Sequence, residues 1–168
     1  GFVAPTVLAL FPMKTAALLF IKTLLLYMDL SDGELIGEDR FVQAFPDMPQ
    51  ERRTKKPAEF FQIFEGNNED NFNVGIKFGK GGVQFYANYF DADLIVASPV
   101  GVKLMLERSP VMGDVLSSIQ LLTVEQFDVM EMQNVEHLLS VVDQLDRPPK
   151  QRHGTDVRFI YPHELDEK

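Results

Sequence analysis

Three short clusters bring together residue types that could do chemistry: Pro12-Met13-Lys14-Thr15-Ala16, Ser98-Pro99-Val100-Gly101 and Glu125-Gln126-Phe127-Asp128. Each follows a segment that reads as a strand, the first two as buried apolar runs, and open α/β sheets bind ligands at the carboxyl ends of their strands. The three clusters are therefore expected to line one edge as neighbours in space. A fourth cluster, Arg52, Arg53, Lys55 and Lys56, is the densest basic patch of the chain. It could grip RNA or an acidic partner, and it fits a solvated loop equally well. Other patterns fail on spacing. Gly75-Ile76-Lys77-Phe78-Gly79-Lys80-Gly81 resembles a phosphate loop, but a residue is missing between its glycines and no Ser or Thr follows the lysine to hold magnesium. In Glu69–Gly75 the glycine of a calcium loop would come one place late, so a polar turn is the better reading. His163-Glu164 lacks a second histidine at zinc-protease spacing, and His137, His153 and His163 lie in three different settings, so no metal site is expected. Neither Ser98 nor Ser117-Ser118 has the glycine-flanked elbow of a hydrolase.

The elements that must position these clusters alternate between strand and helix. Val7-Leu8-Ala9-Leu10-Phe11 is a continuous apolar run suited to a strand buried on both faces, and Pro12 ends it. From Thr15 to Met28, Ala17, Leu18, Ile21, Leu24, Leu25 and Met28 recur at helical spacing. A membrane span over Val7–Met28 is disfavoured because Pro12 splits the segment and Lys14 and Lys22 interrupt it. A signal peptide is disfavoured because no basic residue precedes the apolar stretch. Residues from about 30 to 57 form a loop-rich insertion, with Ser31-Asp32-Gly33, Pro46, Pro49 and the basic patch, and one short helix near Glu38–Ala44. Pro57 opens a further helix through Phe64, closed by Gly66. Phe72, Val74, Ile76 and Phe78 alternate with polar or small residues as a half-buried strand. Gly81-Gly82 is a bend, and Val83–Phe90 suits strand or helix. Asp93–Ala97 is a second buried strand, followed by a helix over Val100–Glu107. A strand over Ile119–Val124 leads into a helical stretch up to Leu145, stopped by Arg147-Pro148-Pro149. This alternation implies an α/β fold with a parallel sheet and helices on both faces.

Composition narrows the function. The 168 residues suit about one domain. Twenty-five acidic against sixteen basic residues leave a net charge of −9, a poor balance for gripping nucleic acid mainly through phosphates, so any RNA contact must be local. There is no cysteine, hence no disulfide and no thiolate metal site. The chain starts at Gly1 with no methionine before Met13, as a fragment or processed piece would.

In order and character the three strand-end clusters resemble motifs of the first RecA-like domain of DEAD-box RNA helicases. Pro12–Ala16 stands for P-T-R-E-L-A, Ser98-Pro99 for T-P-G-R and Glu125–Asp128 for D-E-A-D. A closer resemblance covers nearly the whole chain. Phe60–Gly66 with Asn67, Asn73-Val74-Gly75-Ile76-Lys77-Phe78, Ala97-Ser98-Pro99-Val100-Gly101, Met132-Gln133-Asn134-Val135-Glu136-His137 and His153-Gly154-Thr155-Asp156 occur in that order. They are similar to the digestive organ expansion factor family, also called the U3 small nucleolar RNA-associated protein 25 family. The resemblance implies that residues 1–168 are an incomplete RecA-like (P-loop NTPase-type) helicase domain, with its phosphate loop upstream and a second such domain downstream. It also implies a nucleolar component of the small-subunit processome, acting in pre-ribosomal RNA processing and 18S maturation. The implied partners are pre-rRNA, the U3 snoRNP and processome proteins, with no membrane, small-molecule substrate or cofactor.

The same resemblance bears on catalysis. In an active motif the first carboxylate organises magnesium and the second positions the attacking water. Those places hold Glu125 and Gln126, with Asp128 closing the motif. Glutamine cannot accept a proton from water, so no catalytic residue and no enzyme activity are expected. RNA contact by such an edge uses small side chains, main-chain amides and an occasional cation, which makes Lys14, Thr15, Ser98, Pro99, Gly101 and Lys103 the candidates. Turn and cap duty is their alternative. Two other functions compete: an RNA-dependent ATPase whose motif has drifted, and a nucleolar interaction module that regulates turnover of a client protein.

Overall fold

The computed structural model describes residues 4–28, 34–46, 66–145, 147–151 and 153. Six strands form one sheet: β1 (Val7–Leu10), β2 (Glu34–Ile36), β3 (Asn73–Gly79), β4 (Gly82–Phe85), β5 (Leu94–Ala97) and β6 (Leu121–Val124), in the order β2-β4-β3-β5-β1-β6. The helices are α1 (Lys14–Tyr27), α2 (Glu38–Ala44), α3 (Pro99–Arg108) and α4 (Phe127–Val142), with a 3₁₀ stretch at Pro110–Ser118.

Alternation along the central strands divides the core in two. Ala9, Leu94 and Val96 point to the face covered by Ala17 and Ile21 of α1 and by Phe41 and Phe45 at α2. Leu8, Leu10, Ile95 and Ala97 point to the other, against Val102 and Met105 of α3, Val115 and Leu116 of the 3₁₀ stretch, and Met130, Leu138 and Val141 of α4. The continuous apolar runs of β1 and β5 are therefore required, because both faces of each strand are dry. Rings reinforce the first face: Phe41 stacks on Phe45 at 4.7 Å and on Phe85 at 4.6 Å.

The sheet is mixed, which corrects the expectation of an all-parallel one. β1 pairs in parallel with β5 and β6, and β2 with β4, but β3 runs antiparallel to both β4 and β5. The reversal follows from the Lys80-Gly81 turn, which joins β3 to β4 as a hairpin with Gly79 opposite Gly82. The period-two pattern of β3 already carries the signature of an antiparallel strand with one wet face. Val83–Phe90 resolves into the rest of β4 and a turn at Tyr86, whose φ of 55° ends the strand. The strand expected over Ile119–Val124 starts at Leu121 because the 3₁₀ stretch runs up to Ser118. β2 lies in what reads as irregular loop. The helix expected from Pro57, the Arg52, Arg53, Lys55 and Lys56 patch and His163 fall outside the described residues. Among the described residues no helix is long and apolar enough to cross a membrane.

Candidate functional site

The parallel register sets three strand ends side by side. Leu10 is level with Ala97 on one side and with Val124 on the other. The Phe11 amide donates to the Ala97 carbonyl at 2.9 Å and the Glu125 amide to the Leu10 carbonyl at 2.9 Å, so the chain leaves all three strands at one carboxyl edge.

The β5 end is occupied by its own structure. Ser98 is fully buried, and its Oγ accepts from the Gly101 amide at 2.9 Å, capping α3, with Pro99 in the first turn. The same Oγ accepts from the Phe72 amide at 3.4 Å. Gly101 has no room for a side chain: a Cβ there would lie 2.0 Å from the Phe72 carbonyl oxygen. Asn73 extends this junction, donating from Nδ2 to the Gly101 carbonyl at 3.0 Å and accepting from the Tyr89 hydroxyl. Burial raises the Tyr89 pKa above its ordinary value, against the opposing charges of Arg108 and Arg40.

The β1 end is also closed. Lys14 is 9% exposed, and its Nζ lies 2.6 Å from Glu69 Oε2 and 5.4 Å over the Phe45 ring. Thr15 donates from Oγ1 to the Asn67 carbonyl at 2.9 Å, and its amide donates to the same oxygen. Of the six RNA candidates, Lys103, half-exposed on α3, is the cation not enclosed in this way.

The β6 end is different. Glu125, Gln126 and Asp128 are all exposed. Gln126, the N-cap residue before α4, is in the left-handed region, φ 52° and ψ 51°, and its side chain makes no capping hydrogen bond. That conformation costs a non-glycine residue roughly 1 kcal/mol. Next to it, Phe11, Ala16, Leu19 and Phe20 form an apolar groove of about 280 Å³ with Glu125 and Gln126 at its rim. On the other side of the edge, Pro12, Asp70, Ser98 and Pro99 face Met130, Gln133, Asn134 and His137 across a cleft of about 150 Å³. α4 breaks at this cleft. Asn134 has φ −161° and ψ 93°, and its Oδ1 accepts from the Glu136 amide at 3.1 Å, so it caps the second half of the helix. No group of three or more His, Asp or Glu among the described residues could hold a metal ion.

The UTP25 NTP hydrolase-like domain family matches this chain over residues 1–168. The chain belongs to that family. It is 34% identical to the U3 small nucleolar RNA-associated protein 25 of Schizosaccharomyces japonicus, with all of this chain and 26% of the relative aligned. The protein of the same name from Schizosaccharomyces pombe gives the same identity and coverage, and that of Botryotinia fuckeliana is 31% identical over 99% of this chain and 23% of its own length. The chain thus spans about a quarter of the length of the curated relatives it matches. No solved structure matches.

In this UTP25 NTPase-like domain the segments that carry the family resemblance have physical roles. Asn73 ties β3 to α3, Ser98 and Gly101 build the α3 junction, and Asn134 breaks α4. His153 docks on Asp114, a residue that sequence reasoning passed over. Asp114 is 3% exposed and accepts from the Lys150 amide at 2.8 Å, the Gln151 amide at 3.1 Å and His153 Nε2 at 2.8 Å, while His153 stacks on Phe90 at 4.2 Å. Burial alone would raise the Asp114 pKa, but the hydrogen bonds from Lys150, His153 and Gln151 outweigh it and hold the carboxyl below its usual value. The partners lie 36 to 39 residues away, so only the fold brings them together.

Proposed function

We propose that this domain is an incomplete RecA-like helicase domain that serves without catalysis in the small-subunit processome. There it supports nucleolar pre-rRNA processing and 18S maturation by binding RNA and protein. The U3 small nucleolar RNA-associated relatives support the assembly and its compartment. One observation carries the loss of catalysis: at the end of β6, where the resemblance puts the acid that activates water, stands the neutral amide of Gln126. Two polar groups at the adjoining strand ends are already engaged. Lys14 is bound to Glu69 and Ser98 is consumed as a cap. Of the candidate groups, phosphate contact is left to Lys103 and the Arg52, Arg53, Lys55 and Lys56 patch.

The test uses the full-length protein. Its ATP turnover with and without RNA should match a no-enzyme blank, and Glu125→Ala should leave it there. RNA-stimulated hydrolysis that disappears in Glu125→Ala would overturn the proposal.

A further inference from the structure

We propose that the cleft between α3 and α4, with the outward face of α4, docks a lysine- and arginine-rich segment of a partner protein. Charge gives the first reason. From Glu125 to Asp143 the chain carries Glu125, Asp128, Glu131, Glu136 and Asp143 and not one Lys or Arg, and these acids are exposed. The cleft beside them is lined by Asp70 and by the uncharged Gln133 and Asn134, with His137 and no Lys or Arg. Such a surface repels phosphate and attracts cations.

Apolar exposure gives the second reason. On the same helix Met132 is 68% exposed, Leu139 54% and Val142 42%, while Leu138 and Val141 face the core. A helix that shows acids and large apolar side chains together is complementary to a basic amphipathic segment. Size agrees as well. At about 150 Å³ the cleft is smaller than a small-molecule pocket, which starts near roughly 300 Å³, and it suits one long side chain. A second copy of this chain is a poor occupant, because each copy carries a net charge of −9. Docking here makes no demand on the catalytic state of Gln126.

The direct test places a photo-crosslinking amino acid at Met132 or Leu139 of the full-length protein, assembled into pre-ribosomal particles, and sequences the attached peptides. The expected product is a segment of another protein with a strong excess of Lys and Arg. Attachment to RNA, to an acidic segment, to a second copy or to the protein's own chain would overturn the proposal. A paired solution measurement uses a synthetic amphipathic Lys/Leu helix as the probe. Reversing Asp128, Glu131 and Glu136 to Lys should weaken its binding to the full-length protein by roughly tenfold or more. Reversing Glu38 and Asp39, exposed on α2 across the sheet, should leave it unchanged. Equal loss in both variants, or tighter binding of single-stranded RNA than of the peptide, would show that no such site exists on α4. Both readouts are independent of ATP turnover, so failure here leaves the non-catalytic reading standing.

Discussion

The two halves of the carboxyl edge are built from the same kind of strand end and yet end differently. At β1 and β5 the polar groups already have partners inside the chain: Ser98 with Gly101 and Phe72, Lys14 with Glu69, Thr15 with Asn67. At β6 the polar groups are exposed, and Gln126 at the N-cap of α4 makes no side-chain capping bond and has a strained backbone. Satisfied groups on the first half contribute stability, and groups on the second that lack partners among the described residues are open to recognition. Residue type alone does not distinguish them, since a lysine at a strand end can serve either purpose.

The sharpest way to break this contrast is Gly101→Val. If the β5 end is as closed as its geometry implies, the added Cβ must push Phe72 or α3 away, and the loss in unfolding free energy should reach about 3 kcal/mol or more. Unchanged thermal unfolding would mean that this half of the edge is as loose as the other.

Asp114 extends the closed behaviour beyond the edge. Its folded pKa is depressed, so its contribution is fully present above the unfolded value, near 3.8, and is lost as pH falls through the lower folded value. Asp114→Asn should cost about 1–3 kcal/mol at neutral pH and flatten the decline of stability between about pH 5 and 2. Parallel acid-unfolding curves for the two proteins would refute the assignment.

The smallest effect has the opposite sign. Gln126→Gly relieves a left-handed backbone that no hydrogen bond from its side chain rewards, and should stabilise the domain by about 0.5–1 kcal/mol in urea unfolding. A destabilised variant would show that the Gln126 side chain has a structural partner after all, and would erase the difference between the two halves.

What could be read in the sequence divides along the same line. β1, α1, α2, β5 and α3 were legible because apolar runs, helical spacing and the stops at Pro12 and Pro99 are local signals. The convergence of the three strand ends was legible too, since it follows from parallel strands in one sheet. The reversal of β3 was within reach, for its alternation marks a half-wet strand, but the strand–helix pattern around it dominated the reading. The 3₁₀ stretch offers no comparable period over its nine residues. The pairs Lys14–Glu69 and Asp114–His153 were hidden, because nothing near either partner signals a contact made 55 or 39 residues away. The break at Asn134 sits inside an otherwise helical run, and only the backbone reveals it.

That break changes what α4 can transmit. An extended residue in mid-helix divides one long rod into two short levers, each below the length at which helices persist on their own. Val129 and Met130 seat the first lever on the core, and Leu138 and Val141 seat the second. Each half of α4 therefore depends on its own buried pair rather than on one unbroken helical backbone.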